Sequence, residues 1–274
     1  MKALLILALL ATSLFAVDYP PQLDEARSKV YRTVDDTELK VWIFGESDVE
    51  NPKPAILFFF GGGWNGGSPE QFAQQARHFA KRGMIGIVAD YRVKKRHQVK
   101  PVECLKDAKA CLAWVRKHSE SLGIIPDKIC ASGGSAGGHL AASTGTLNGF
   151  GNDERPNALI LFNPVSLLAD LGDWKAKGFG VKHDLGVPHI EFSPPHHVGP
   201  HTPPTLIMHG EADTIVPIEA SRAFEAALKQ AKVPVKLATY PEQPHGFFNK
   251  RKSCLLYTSP SPRDKRQSRM PSSA

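Results

Sequence analysis

Four stretches of the sequence carry residues whose types and spacing suit nucleophilic acyl transfer. Gly133-Gly134-Ser135-Ala136-Gly137 sets a serine at the centre of G-x-S-x-G, between the apolar run Lys128 to Ser132 and a segment of helical composition. A tight strand-to-helix turn strains the backbone at the serine and projects its hydroxyl outward, and small neighbours let the two elements approach. A serine hydroxyl is a weak nucleophile until a base takes its proton and an acid orients that base. His209-Gly210-Glu211-Ala212-Asp213-Thr214-Ile215-Val216-Pro217 supplies the acid Asp213, with Glu211 as the alternative, and Pro244-His245-Gly246 supplies the base His245. Phe58-Phe59-Phe60-Gly61-Gly62-Gly63-Trp64 places three glycines after an apolar run. The amides of Gly62, Gly63 and Ala136 are expected to hold a developing oxyanion, where each donor is worth roughly 2.7 to 4 kcal/mol of barrier. A phosphate cradle would need G-K-[ST] after the glycines, and none follows. Trp64, next to this loop, is expected to contact substrate.

Residues so far apart in sequence meet only if the chain alternates strands with helices. Leu39 to Phe44, Ala55 to Phe60, Met84 to Asp90, Lys128 to Ser132, Ala158 to Phe162, Pro204 to Met208 and Val235 to Tyr240 read as strands. Between them Ser68-Pro69 opens a helix to about Arg82, Pro101 opens another with apolar residues at helical spacing, a third follows Ser135, and Glu219 to Ala231 is amphipathic. The pattern predicts an α/β fold with a mostly parallel central sheet covered by helices on both faces. Residues 164–203, rich in Gly, Pro, His and Asp, are too long for a plain connection and are expected to form a small lid.

Composition narrows the rest. Residues 17–253 suffice for one domain with its own core. The net charge of +7 falls to +3 without Lys2 and residues 254–274, which carry four positive charges and one negative; this scattered balance argues against a nucleic-acid partner. The basic cluster Arg92 to Lys100 reads as a solvated loop. Cys104, Cys111 and Cys130 are odd in number and predict no disulfide framework. His139 should be carried away from the serine hydroxyl by its helix and pack. His183, His189, His196, His197 and His201 lack the tight spacing of a zinc motif and read as solvated lid residues; neither a metal nor a cofactor is expected.

Residues 1–16, with Lys2, an apolar run from Ala3 and small residues near Ala16, read as a signal peptide, which predicts export without stable membrane insertion. The tail 254–274 resembles translated sequencing adapter, its first residues fitting TGT CTC TTA TAC ACA TCT, and is expected to lie outside the domain in place of the native C-terminus. A basic disordered tail is the other reading.

Taken together, the G-G-S-A-G-G-H, F-G-G-G-W and H-G-x-x-D-x-x-V-P segments resemble the esterase and lipase branch of the α/β-hydrolases, over Val30 to Asn249, and are most similar to small exported bacterial carboxylesterases, including acetyl esterases acting on decorated carbohydrates. Phe60 stands where many relatives have His before the glycines. The resemblance implies the α/β-hydrolase fold, with its chain order Ser, Asp, His, and an ester-cleaving serine enzyme whose partner is a small-molecule or carbohydrate ester. A serine peptidase of the same fold, or a non-catalytic binding module that kept it, are the alternatives; a fluorophosphonate probe separates the last, because only an activated serine reacts. Oligomeric state is not legible.

Overall fold

The computed structural model describes residues 19–249; the expected signal peptide and the tail 254–274 lie outside the described residues. Eight strands form one sheet: β1 Arg27–Val34, β2 Thr37–Phe44, β3 Lys53–Phe59, β4 Ile85–Ala89, β5 Ile124–Gly134, β6 Ala158–Phe162, β7 Thr205–Gly210 and β8 Val235–Tyr240. Their order is β1-β2-β4-β3-β5-β6-β7-β8. β2 pairs antiparallel with β1 and β4, and all the pairs from β4 through β8 are parallel. The central strands β3 and β4 are almost wholly apolar and buried on both faces, as parallel strands under helices must be.

Five helical elements follow: α1 Ala73–Lys81, the single turn α2 Lys94–His97, α3 Pro101–Lys117, α4 Ala136–Thr146 and α5 Ile218–Gln230. One apolar layer gathers Leu105, Leu112, Leu140 and Phe224 from α3, α4 and α5; the opposite layer joins Ala76 of α1 to Phe72, Phe162 and Phe248. The helix expected from Ser68 begins as a 3₁₀ turn, Pro69–Phe72, with the Ser68 hydroxyl accepting from Glu70 N–H at 3.3 Å, and becomes α-helical only at Ala73. α4 is buried along its whole length, consistent with its run of Ala, Gly, Ser and Thr.

One expectation is corrected, and one strand is added. β1 was not foreseen: its first four residues are exposed and mostly polar, so no buried period-2 face marks it. Arg92 is not in a solvated loop; it is 8% exposed, its Nε donating to Asp107 at 2.8 Å and one Nη to Glu103 at 3.2 Å. Residues 164–203 contain short 3₁₀ turns and bury Val165, Leu167, Leu168, Leu185 and Phe192, so this stretch is packed on the domain. Cys104, Cys111 and Cys130 are buried free thiols, and burial pushes the Cys130 thiol up to about 12.

Candidate active site

Parallel strands ending side by side bring the sequence-distant residues together. Gly61–Gly63 follow β3, Ser135 follows β5, Asn163 follows β6, Asp213 follows β7 and His245 follows β8, so all emerge at the carboxyl edge of the sheet. Ser135 sits between β5 and α4 with φ 56° and ψ −121°, a conformation disfavoured for a side chain and held by its surroundings. Its N–H donates to Phe162 O at 2.9 Å, and its carbonyl accepts from His139 and Val165 N–H at 3.0 and 3.2 Å. The turn can close this tightly because Gly137 has no side chain: a Cβ there would lie 2.1 Å from Phe59 O and 2.3 Å from Phe60 O.

Ser135 Oγ is 3.0 Å from His245 Nε2, and His245 Nδ1 is 2.7 Å from Asp213 Oδ2. A carboxylate facing Nδ1 fixes the proton there, leaving Nε2 to accept from the serine hydroxyl. Asp213 is buried and is the focus of converging donors. Its Oδ1 accepts from Ile215 and Val216 N–H, both at 2.9 Å, and its Oδ2 also accepts from Asn163 Nδ2. His209 Nε2 lies 3.4 Å from the same oxygen while donating to Val216 O at 2.9 Å, and its Nδ1 accepts from the Ser221 hydroxyl at 2.7 Å. Burial alone would raise the Asp213 carboxyl, but the hydrogen bonds from His209, His245 and Val216 outweigh it and hold the group well below the usual carboxylate range. Glu211, the alternative acid, is exposed, and it is Asp213 that faces His245.

The three glycines divide their tasks. Gly61 N–H donates to Gln71 Oε1 at 2.5 Å. Among the described residues nothing accepts from the N–H of Gly62, Gly63 or Ala136. Gly63 has φ +63°, and a Cβ on it would enter the Phe179 ring at 2.4 Å, so only glycine suits this position. Ala136 opens α4, where the helix dipole adds to its donor character.

Asn163, His209 and Gln71 were not singled out from sequence. Asn163 had one signal, a polar residue closing an apolar strand, and it adopts φ 40°. Trp64, expected to contact substrate, is 1% exposed, with the rings of His139, Phe179, His183 and Phe192 around it, so it supports the 164–203 stretch from below while also lining a cavity beside the glycine loop. His139 packs as expected, donating from Nε2 to Phe192 O at 2.8 Å, and burial pushes its imidazole down to about 4. The lid histidines are engaged: ring nitrogens of His183, His196 and His197 lie about hydrogen-bonding distance, 3.0 Å, from the carbonyls of Phe179, Asp170 and Ile190.

The dienelactone hydrolase family model matches residues 192–269 and the BD-FAE family model residues 42–159. A thermophilic esterase from Thermogutta terrifontis, Est2, has a solved structure that superposes with TM-score 0.80 at 42% identity, covering 89% of this chain and 91% of that one. The chain belongs to the α/β-hydrolase carboxylesterases. This hydrolase is also 29% identical over 236 residues to LipM, a probable carboxylic ester hydrolase of Mycobacterium tuberculosis, covering 76% of this chain and 53% of LipM. An acetylxylan esterase of Xylanibacter ruminicola is 30% identical over 72% of this chain and 42% of its own length. The chain spans about half the length of the curated relatives it matches.

Proposed function

We propose that the chain is a serine carboxylesterase that cleaves short-chain esters, acetyl esters first, with acetylated carbohydrates as its natural substrate class. The observation that carries this reading is the unbroken hydrogen-bonded series from Ser135 Oγ through His245 to Asp213, beside amides free to receive an oxyanion. In the reaction, His245 Nε2 takes the Ser135 proton as Oγ bonds to the ester carbon, and Asp213 stabilises the imidazolium. The carbonyl oxygen becomes the oxyanion held by the amides of Gly62, Gly63 and Ala136. Collapse breaks the bond to the alcohol, which leaves with the proton from His245. Water, deprotonated by the same nitrogen, then attacks the acyl-serine; the acid departs and Ser135 regains its proton.

Short acyl chains are favoured by two relationships. Est2 has been solved with propionate and with butyrate bound, and the relative from X. ruminicola is named an acetylxylan esterase. The 164–203 stretch is anchored over the glycine loop through Phe179, which leaves less room than an open face would.

The test is hydrolysis of p-nitrophenyl esters from acetyl to long chain by the wild-type chain and by Ser135→Ala. Activity should fall with acyl length, and Ser135→Ala should lose roughly 10⁵ to 10⁶ in kcat. Substantial turnover by the alanine variant would remove the assignment of Ser135, and a preference for long chains would remove the short-chain reading.

A further inference from the structure

Next to the glycine loop lies a cavity of about 530 Å³ whose walls include Gly63, Trp64, Lys94, Lys95, Val99 and Lys100. It is rigidly joined to that loop. Lys94 N–H donates to Trp64 O at 3.0 Å and Lys95 N–H to Asn65 O at 2.9 Å, so two backbone hydrogen bonds tie α2 to the loop after β3. Arg96 fastens the same turn from the other side, donating from Nη1 to Gly67 O at 2.8 Å.

Its charge is unbalanced. Asp184 is the only acid in the walls; Lys100 pairs with it at 3.0 Å, and it also feels Lys94. Lys94 and Lys95 are exposed, and among the described residues neither has a carboxylate within ion-pair distance. Val99 and Trp64 add apolar surface beside these donors. Two ammonium groups without ion-pair partners and an apolar wall suit a ring that carries an anion, and the field of the lysines would draw such a ligand toward the loop before contact.

Resting on the esterase reading above, we propose that this cavity receives the alcohol part of the ester and selects alcohols that carry a carboxylate, as an acylated acidic sugar does. The alcohol rather than the acyl group is assigned here because a short acyl chain is spent within a few atoms of Ser135, whereas only the longer alcohol could reach from the reacting carbon to a cavity that the glycine loop borders at Gly63. Lys94 and Lys95 are then specificity residues, outside the groups that act on the reacting atoms.

The experiment compares 3-acetoxybenzoate with its methyl ester, which share the acyl group and the ring and differ in charge, using the wild-type chain and the K94E/K95E variant near neutral pH in low salt. The ratio of kcat/KM for the acid over the methyl ester should fall by about tenfold or more in the variant, carried by KM, with the methyl ester changed by less than about twofold. High salt should lower the wild-type ratio in the same direction and move the variant's ratio little or upward. A ratio unmoved by the charge reversal, or an equal loss on both esters, overturns the proposal. If the wild type hydrolyses the methyl ester but the ratio does not move, the cavity assignment alone fails; if it hydrolyses neither ester, the esterase reading falls and takes this one with it.

Discussion

Asp213 gathers more hydrogen-bond donors than any other side chain around Ser135. Two backbone N–H groups bind Oδ1, while Asn163 and His245 converge on Oδ2 with His209 at 3.4 Å. This arrangement keeps the carboxylate ionised and aimed, so in the proposed mechanism its value lies in orienting His245 and stabilising the imidazolium. Asp213→Asn keeps the shape but favours the wrong imidazole tautomer, and kcat should drop by roughly 10⁴ with KM little changed. Asn163→Ala removes one of several donors; a hydrogen bond to a charged group is worth about 1.5 to 3 kcal/mol, and only part of that applies to the transition state, so kcat should fall by about tenfold. Steady-state kinetics on p-nitrophenyl acetate separates the two, and an Asn163→Ala enzyme as impaired as Asp213→Asn would show that Asn163 does more than support the acid. Ser135, Asp213 and His245 were legible in the sequence because each sits in a short segment just past an apolar run. Asn163, His209 and Gln71 were not, because what defines them is the partner they meet across the fold, and nothing in F-N-P or P-E-Q-F names that partner.

The elements work as carriers that end at one edge. Strands β3, β5, β6, β7 and β8 were readable as apolar runs, β6 and β8 with both ends matched and the others with ends off by one to four residues, because a strand stops where its ladder partner stops and not where its hydrophobicity does. β1 and α2 escaped notice, one because its leading residues face water and the other because a single turn has no periodicity to detect. Where β5 meets α4 the contact is between backbones, and it depends on Gly137. Gly137→Ala puts a Cβ within 2.3 Å of two carbonyl oxygens that belong to the loop after β3 and to β3 itself, so no side-chain rotation can relieve it. Stability should fall by about 3 kcal/mol or more, lowering the melting temperature by about 10 °C for a domain of this size, with the glycine loop after β3 displaced as well. Differential scanning calorimetry reads the first effect, and a melt within about 2 °C of wild type would show that β3 can withdraw without loss. The loop is held at its far end by Arg96, whose guanidinium stacks on the Tyr19 ring at 3.7 Å and donates to the Tyr19 oxygen at 2.8 Å and to Gly67 O. Tyr19→Ala removes that support, and kcat should fall severalfold with the site residues untouched.

Over the whole molecule, two buried titrating groups set opposing dependences of stability on pH. Burial pushes the His139 imidazole down to about 4 from 6.5, against the hydrogen bond to Phe192 O. Between these values the unfolded chain binds the proton and the fold does not, so stability is complete above pH 6.5 and is lost as pH falls toward 4. Burial pushes the Asp90 carboxyl up to about 6 from 3.8, against hydrogen bonding from Tyr19 and the charge of Arg96. Here the fold holds the proton that the unfolded chain gives up, so stability is complete below pH 3.8 and is lost as pH rises toward 6. Each shift is worth about 3 kcal/mol, and the signs are opposite, so between pH 4 and 6 the two slopes largely cancel. The cancellation can be undone one side at a time. In Asp90→Asn only the histidine slope remains, and the melting temperature should drop by several degrees as pH falls from 6 to 4. In His139→Gln, which retains a donor for Phe192 O, only the aspartate slope remains, and the melting temperature should rise over the same interval. Melts that follow the wild-type curve in both variants would mean that neither group changes its protonation state on folding, and the depressed histidine and raised aspartate would have to be abandoned together.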